Sequence, residues 1–305
     1  MSGQRVLRVF FHEHLVARAE AGKHNFTNRL RAAFDRVGVE VRLCRNTPAA
    51  RALSAVQPGY ALFHMDAPFH RNALTTRLVY AAPFWQIEAS AKRWEWEVAR
   101  APFHPETVEP GEARQFQRRQ AQAILGGDDT AREPGGFVYV PLQGMLRKHR
   151  SFQMCSPVEM IAQTLAHCGD RRVIAGLHPK ESYSRGDLAA LDALREGDRR
   201  LSVVTGQMAP LLRGCAYVVS QNSSVALFAG LVDKPAILFA RIDFHHVALN
   251  VQDIGIAPAF AAIADHRPDF ARYLYWFLKQ NTLNAGAPEA EDQILAAVRR
   301  HGWQV

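Results

Sequence analysis

The chain has 305 residues, 48% of them hydrophobic and 22% charged, which fits an ordinary globular protein with room for two α/β domains or one large one. No run of about 18 apolar residues is present, which excludes a membrane-spanning helix of ordinary length; Met1-Ser2-Gly3-Gln4-Arg5 leads into Val6–Phe11 without a signal-peptide pattern, so a cytoplasmic protein is expected. The cysteines (Cys44, Cys155, Cys168, Cys215) form no CxxC pair, against a zinc site or disulfide framework, and the formal charge of +8 favours anionic partners.

Strand-like apolar runs alternate with amphipathic segments along most of the chain, the pattern of a parallel α/β sheet. In the first part Val6–Phe11, Val39–Cys44, Tyr60–Met65 and Leu78–Ala82 read as strands. A helix over Phe26–Val37 places Phe26, Leu30, Ala33, Phe34 and Val37 on one face. From Pro83 to Glu133 tryptophans and charges mix. Trp85, Trp94, Trp96 and Phe103 offer rings for stacking on sugars, but at helical spacing they read as packing. A polar helix, Glu112–Leu125, follows. Arg132-Glu133-Pro134-Gly135-Gly136 is the best linker, giving domains at 1–134 and 135–268.

The second part predicts strands at Phe137–Pro141, Arg172–Leu177, Leu201–Val204, Tyr217–Ser220 and Ala236–Phe239. The predicted helices are Pro157–His167, Asp187–Arg195, Met208–Arg213 and Val225–Leu231, then Pro258–Asp265, Asp269–Gln280 and Glu289–His301. Tyr273, Tyr275, Trp276 and Phe277 read as packing residues, and residues 269–305 as helices returning to the first domain. Basic residues such as Arg29, Arg31 and Arg36 are scattered and are not interleaved with exposed aromatics, so nucleic acid is the weakest anionic partner.

Three strand exits carry polar chemistry. Gly176-Leu177-His178-Pro179-Lys180-Glu181 places an imidazole where Pro179 disfavours helical geometry, with Lys180 as a nearby cation. Ser220-Gln221-Asn222-Ser223-Ser224 puts hydroxyls and an amide where a helix begins, either as caps or as partners for an anion. Gln143-Gly144 follows the first strand of this part; Gly144 permits close backbone approach and Gln143 offers an amide, though a simple strand exit reads equally well. In an open parallel sheet ligands bind at the carboxyl ends of strands, so these loops together point to a nucleotide site.

The His-Pro pair, the later Ser-Ser pair and the helix running on to Lys234-Pro235 resemble those of bacterial capsule-polysaccharide glycosyltransferases of the Kdo-transferase-like kind, and more distantly of bacterial sialyl- and polysialyltransferases. The resemblance covers about Phe137 to Phe244. It implies a GT-B architecture: two Rossmann-like domains facing across a cleft, with C-terminal helices bracing the first. It also implies that His178, Pro179, Ser223 and Ser224 bind the CMP part of an activated acidic sugar, with Lys180, Glu181, Gln143, Gly144, Gln221 and Asn222 around them.

The short acidic motif that supplies the catalytic base in those families is not intact in the first half. From chemistry, the base is a carboxylate at a strand end near an acceptor hydroxyl. Asp66 fits first and Glu13 second, and each also reads as a solvated loop carboxylate. His12, His14, His64 and His70 stand beside them as candidate anion ligands. A metal site from His12, Glu13 and His14 is disfavoured, because on a strand the middle residue faces away.

The expected activity is inverting, metal-independent transfer of Kdo or a related ulosonate from a CMP-activated donor to a surface-polysaccharide or glycolipid acceptor. The enzyme would need no cofactor beyond that co-substrate and would touch the inner membrane at most peripherally. His178 would stabilise the leaving phosphate. The alternatives are a CDP-glycerol-type polyol-phosphate transferase and an inactive sugar-nucleotide or glycan-binding partner in capsule assembly.

Overall fold

A computed structural model describes residues 5–127 and 136–305. In chain order its strands are β1 (Arg5–Phe11), β2 (Val39–Arg45), β3 (Tyr60–His64), β4 (Ala73–Leu78), β5 (Phe84–Glu88), β6 (Val138–Leu142), β7 (Val173–Leu177), β8 (Leu201–Thr205), β9 (Tyr217–Ser220), β10 (Ala236–Leu238), β11 (Leu249–Asn250) and β12 (Leu283–Asn284). They form two six-stranded sheets, one in each of two compact units. The first unit holds Met1–Ala101 with Phe277–Val305, and the second holds Pro102–Trp276. Of the linker expected at Arg132–Gly136, all but Gly136 lies outside the described residues.

The first sheet has the order β12-β5-β4-β3-β1-β2. β4, β3, β1 and β2 are parallel, β5 runs antiparallel to β4, and β12 runs antiparallel to β5 at the edge. β1 sits inside the parallel part, and Leu7, Val9, Phe10 and Phe11 are all buried, as a strand covered on both faces requires. The helix Asn25–Asp35 buries Phe26, Leu30, Ala33 and Phe34, close to the predicted face. The helix Ala290–Arg300 packs Ile294, Leu295, Ala297 and Val298 into the same core. Two ion pairs tie these helices, Arg29–Glu291 at 2.8 Å and Arg36–Asp292 at 2.7 Å.

The fourth strand is Ala73–Leu78, and the expected strand Leu78–Ala82 is largely a turn through Tyr80 (φ 62°) that reverses the chain into β5. Thr75 and Thr76 disguise β4 as a polar segment. Both hydroxyls are buried and donate to main-chain carbonyls, Phe63 O at 3.1 Å and Gln86 O at 2.8 Å. The tryptophans near it pack: Trp85 stacks on Phe26 with ring centres 4.4 Å apart, and Trp96 is 1% exposed.

The second sheet is wholly parallel, in the order β11-β10-β9-β6-β7-β8. Counted from β6 as its first strand, this is the doubly wound order 3-2-1-4-5-6. All five residues of β6 are buried. The helix Pro110–Leu125 belongs to this unit: Gln117 Nε2 donates to Gly230 O at 2.7 Å, and Arg114 pairs with Asp233 at 3.2 Å. Phe270–Leu274 also lies in this unit, so of the helices expected to return to the first domain it is Ala290–Arg300 that does.

Gly59, just before β3, has φ 109°, and a Cβ there would lie 2.2 Å from Val6 O of β1. Gly59→Ala should therefore pry the β1–β3 pair and cost about 3 kcal/mol, from left-handed strain and overlap combined. Urea unfolding measures this, and an unchanged midpoint would show that the two strands have slack at that point.

Candidate functional site

In the second unit β6 lies between β7 and β9, so three adjacent strands end side by side: β6 at Gln143-Gly144, β7 at His178-Pro179 and β9 at Gln221–Ser224. The strand order reverses between β6 and β9, the place where a doubly wound sheet opens a crevice for a ligand. A narrow cavity lies there, lined by Pro141, Gln143, Gly144, Arg150, Gln221 and Ser223 among others. Its enclosed space, about 10 Å³, suits one water. A nucleotide would lie over the exposed loop ends, with this cavity beneath it.

His178 is exposed, and its ring is oriented from within its own turn. The Lys180 N–H donates to Nδ1 at 3.2 Å, which places the proton of a neutral imidazole on Nε2. The His178 N–H in turn donates to Tyr183 Oη at 2.8 Å. The loop thus presents one fixed N–H donor beside the exposed Lys180. The two loops approach closely at Gly144, where an added Cβ would lie 2.6 Å from Glu181 Oε2 at the end of its flexible side chain.

The Ser-Ser pair divides its work. Ser223 is buried and caps the short helix Ser224–Ala229, its Oγ accepting the Val225 N–H at 3.3 Å. Its own N–H donates to Ser220 Oγ at 3.2 Å. Ser224 and Asn222 are half-buried, and their side chains make no hydrogen bond among the described residues, so these are the groups available to a ligand. Gln221 is buried, its Nε2 donates to Cys155 O at 2.9 Å, and its Oε1 has no partner. Gln143 is exposed at the centre of the three ends.

A cationic cluster stands at the same place: Arg147-Lys148-His149-Arg150, three residues beyond Gly144. Arg150 Nη2 donates to Gly144 O at 3.4 Å, and Arg147 lies 3.6 Å from Asp187. The signal was in the sequence as a run of basic residues directly after a strand exit. Lys234-Pro235 precedes β10 and therefore lies at the opposite edge of the sheet.

In the first unit, Asp66 follows β3 after Met65, whose φ of 67° turns the chain. Its Oδ2 accepts from Asn46 at 2.6 Å and Arg51 at 3.0 Å, and Oδ1 has no partner among the described residues. Glu13 opens the helix Glu13–Glu20 and pairs with Arg45 at 2.8 Å, both side chains more than two-thirds exposed; such a pair contributes little. His12 and His14 flank the start of this helix, not alternate positions on a strand. Their rings stack at 6.4 Å, and among the described residues no group of three or more His, Cys, Asp or Glu is placed to hold a metal ion. His70 Nε2 is 3.1 Å from Ser54 Oγ.

His64, at the end of β3, is 8% exposed, and its Nδ1 is sealed without a partner. Its ring packs edge-on against Phe11 at 5.3 Å and near His12 at 6.2 Å. Burial, then the neighbouring His12, pulls its pKa down to about 4.

No family model matches this chain, and no curated protein matches it by sequence. Solved structures do match it in fold. The structure of Thermosulfurimonas dismutans KpsC, a beta Kdo 2,7 transferase, aligns over 96% of this chain and 99% of its own, with a TM-score of 0.53 and 10% identity. The beta Kdo 2,4 transferase of the same protein aligns over 90% of each chain, at 0.46 and 10%. The UDP-GlcNAc 2-epimerase of Methanocaldococcus jannaschii aligns over 98% of this chain and 100% of its own, at 0.41 and 9%. The GT-B-like pairing of two Rossmann-like units implied by the motifs is the fold observed. No described helix is long and apolar enough to cross a membrane.

The depressed His64 pKa makes a pH prediction. Unfolded, the ring takes its proton near pH 6.5; folded, only near 4. Its contribution to stability is therefore full above pH 6.5 and is lost as the pH falls through 4, a drop of about 3 kcal/mol. Urea unfolding at pH 7.5 and 4.5 should show most of this loss, and His64→Gln should remove it. Parallel acid sensitivity in the two proteins would assign the titration to another group.

Proposed function

We propose that this protein is a glycosyltransferase that takes an acidic sugar, Kdo or a related ulosonate, from a CMP-activated donor and passes it to an anionic glycan or glycolipid acceptor. The observation that carries this reading is the convergence of three adjacent strand ends at the switch point of a 3-2-1-4-5-6 sheet. They bring together an oriented imidazole N–H, two groups with hydrogen-bonding capacity to spare (Asn222, Ser224) and the cations Lys180, Arg147 and Lys148. That set suits a nucleoside monophosphate leaving group. The likeness in fold to a protein described as a beta Kdo 2,7 transferase supports Kdo as the sugar of this reading.

In this mechanism the donor's sugar–phosphate bond breaks as the acceptor oxygen bonds to the anomeric carbon. Charge grows on the departing phosphate, and His178 Nε2–H with Lys180 stabilises it where it appears. Asp66 takes the proton of the acceptor hydroxyl on Oδ1, because Oδ2 is occupied by Asn46 and Arg51. Glu13 is the second candidate for this step.

Thermal-shift titration with CMP, CDP, UDP and GDP tests the donor assignment, since a ligand selective for the folded state raises the apparent melting point. CMP should give the largest shift. A response to CDP with turnover of CDP-glycerol would favour polyol-phosphate transfer, and binding with no transfer would favour a non-catalytic partner. With a CMP-sugar donor, His178→Ala should lower kcat about 100-fold, the scale of losing one transition-state donor. Unchanged turnover sinks that role. Asp66→Asn should abolish transfer and leave CMP affinity intact, whereas loss of affinity would make Asp66 a binding or structural residue.

A further inference from the structure

A second cavity, of about 290 Å³, lies at the opposite edge of the second sheet, where its strands begin. It is bordered by the end of the helix Pro157–His167, by Gly169 and Arg171 ahead of β7, by Tyr217 at the start of β9, by Pro235 ahead of β10, and by Phe260, Ile263 and Arg267. Nothing in the proposed transfer reaction uses it.

Three features make it more than a dent. Tyr217 is 5% exposed, yet its hydroxyl makes no hydrogen bond to any described residue. Tyr217 is one of the residues that line this cavity. A buried phenol that could have been a phenylalanine keeps its hydroxyl at a cost unless something bonds to it. Among the described residues that border the space, Arg171 and Arg267 are the charged ones, with His167 beside them, and no described carboxylate lines it. Arg171 and Arg267 are each anchored through one Nη1, to Gly136 O and His266 O at 3.0 Å, which leaves other donors on both guanidinium groups. The opposite wall is apolar, with Phe260 stacked on His167 at 5.6 Å and meeting the Tyr217 ring edge-on at 6.3 Å.

We propose that this cavity is a binding site for a small organic anion, a carboxylate or phosphate carried on an apolar ring or short chain. The anionic end accepts from Tyr217 Oη and the two arginines, and the body lies against Phe260, Ile263 and Ala264. The volume is ample for a ring-sized body, and charge-assisted bonds from guanidinium to a carboxylate or phosphate supply the orientation.

Isothermal titration of the full chain with benzoate and, separately, with inorganic phosphate tests it. At least one should bind saturably with a Kd in the millimolar range or below; the stronger of the two identifies the headgroup and whether the apolar wall contributes. Tyr217→Phe, which keeps the ring and its packing, and Arg267→Gln, at the surface, should each weaken that binding about tenfold. His178→Ala, at the far edge, should leave it unchanged. The proposal is overturned if neither probe saturates, if binding survives both cavity substitutions, or if it is lost in His178→Ala instead.

Discussion

The second unit depends on the parallel ladder around β6. Parallel pairing sends every strand end to the same edge, and β6, flanked by β7 and β9, decides which ends become neighbours. Its register is held by burial: Val138, Val140 and Leu142 lie in one core with Val173, Ala175 and Val219, and Leu142 pairs with Leu177 immediately before His178. A slip of one residue would turn those side chains to the opposite face of the sheet, so the apolar core opposes it strongly. The position of the imidazole beside Gln143 is thus a consequence of packing several residues away.

This dependence explains which parts could be read from the chain. β6, β7 and β9 are short continuous apolar runs of the kind a doubly covered strand needs, so their ends, and the polar loops that follow, were visible as such. Whether Ser223 or Ser224 faces a ligand was not visible, because capping consumes one hydroxyl and the choice rests on main-chain geometry. The Arg147–Arg150 run was in plain sight but unassigned, since a basic run reads as solvated surface until the fold places it at a strand end. β4 was misplaced because threonines whose hydroxyls are satisfied by main-chain carbonyls mimic a polar loop.

The first unit shows a different limit. Its parallel strands were legible, and so were Asp66 and Glu13 as carboxylates at strand ends, but their surroundings come from elsewhere in the chain. Asp66 receives Asn46 from the end of β2 and Arg51 from the helix Pro48–Ser54, an arrangement that exists only after β1, β2 and β3 have paired. His64 makes the contrast sharper. A histidine sealed at Nδ1 without a partner is a retained cost, and buried polar groups of that kind concentrate where a protein does chemistry. Glu13 carries no such mark, for its pair with Arg45 is solvated on both sides.

The two ends of β9 sharpen the argument about what the second unit is built to do. Three residues separate Tyr217, which lines the basic cavity where strands begin, from Gln221, whose Oε1 is sealed without a partner and which lines the crevice where they end. Val218 and Val219 between them are fully buried, and the strand is bonded on one side to β6 and on the other to β10. A strand bonded on both sides and buried on both faces is held in one register, so both of its ends are placed by the same packing. Both polar groups therefore lie at the two ends of β9, one of the three strands whose ends form the crevice. A core built only for stability would have placed apolar residues at both positions.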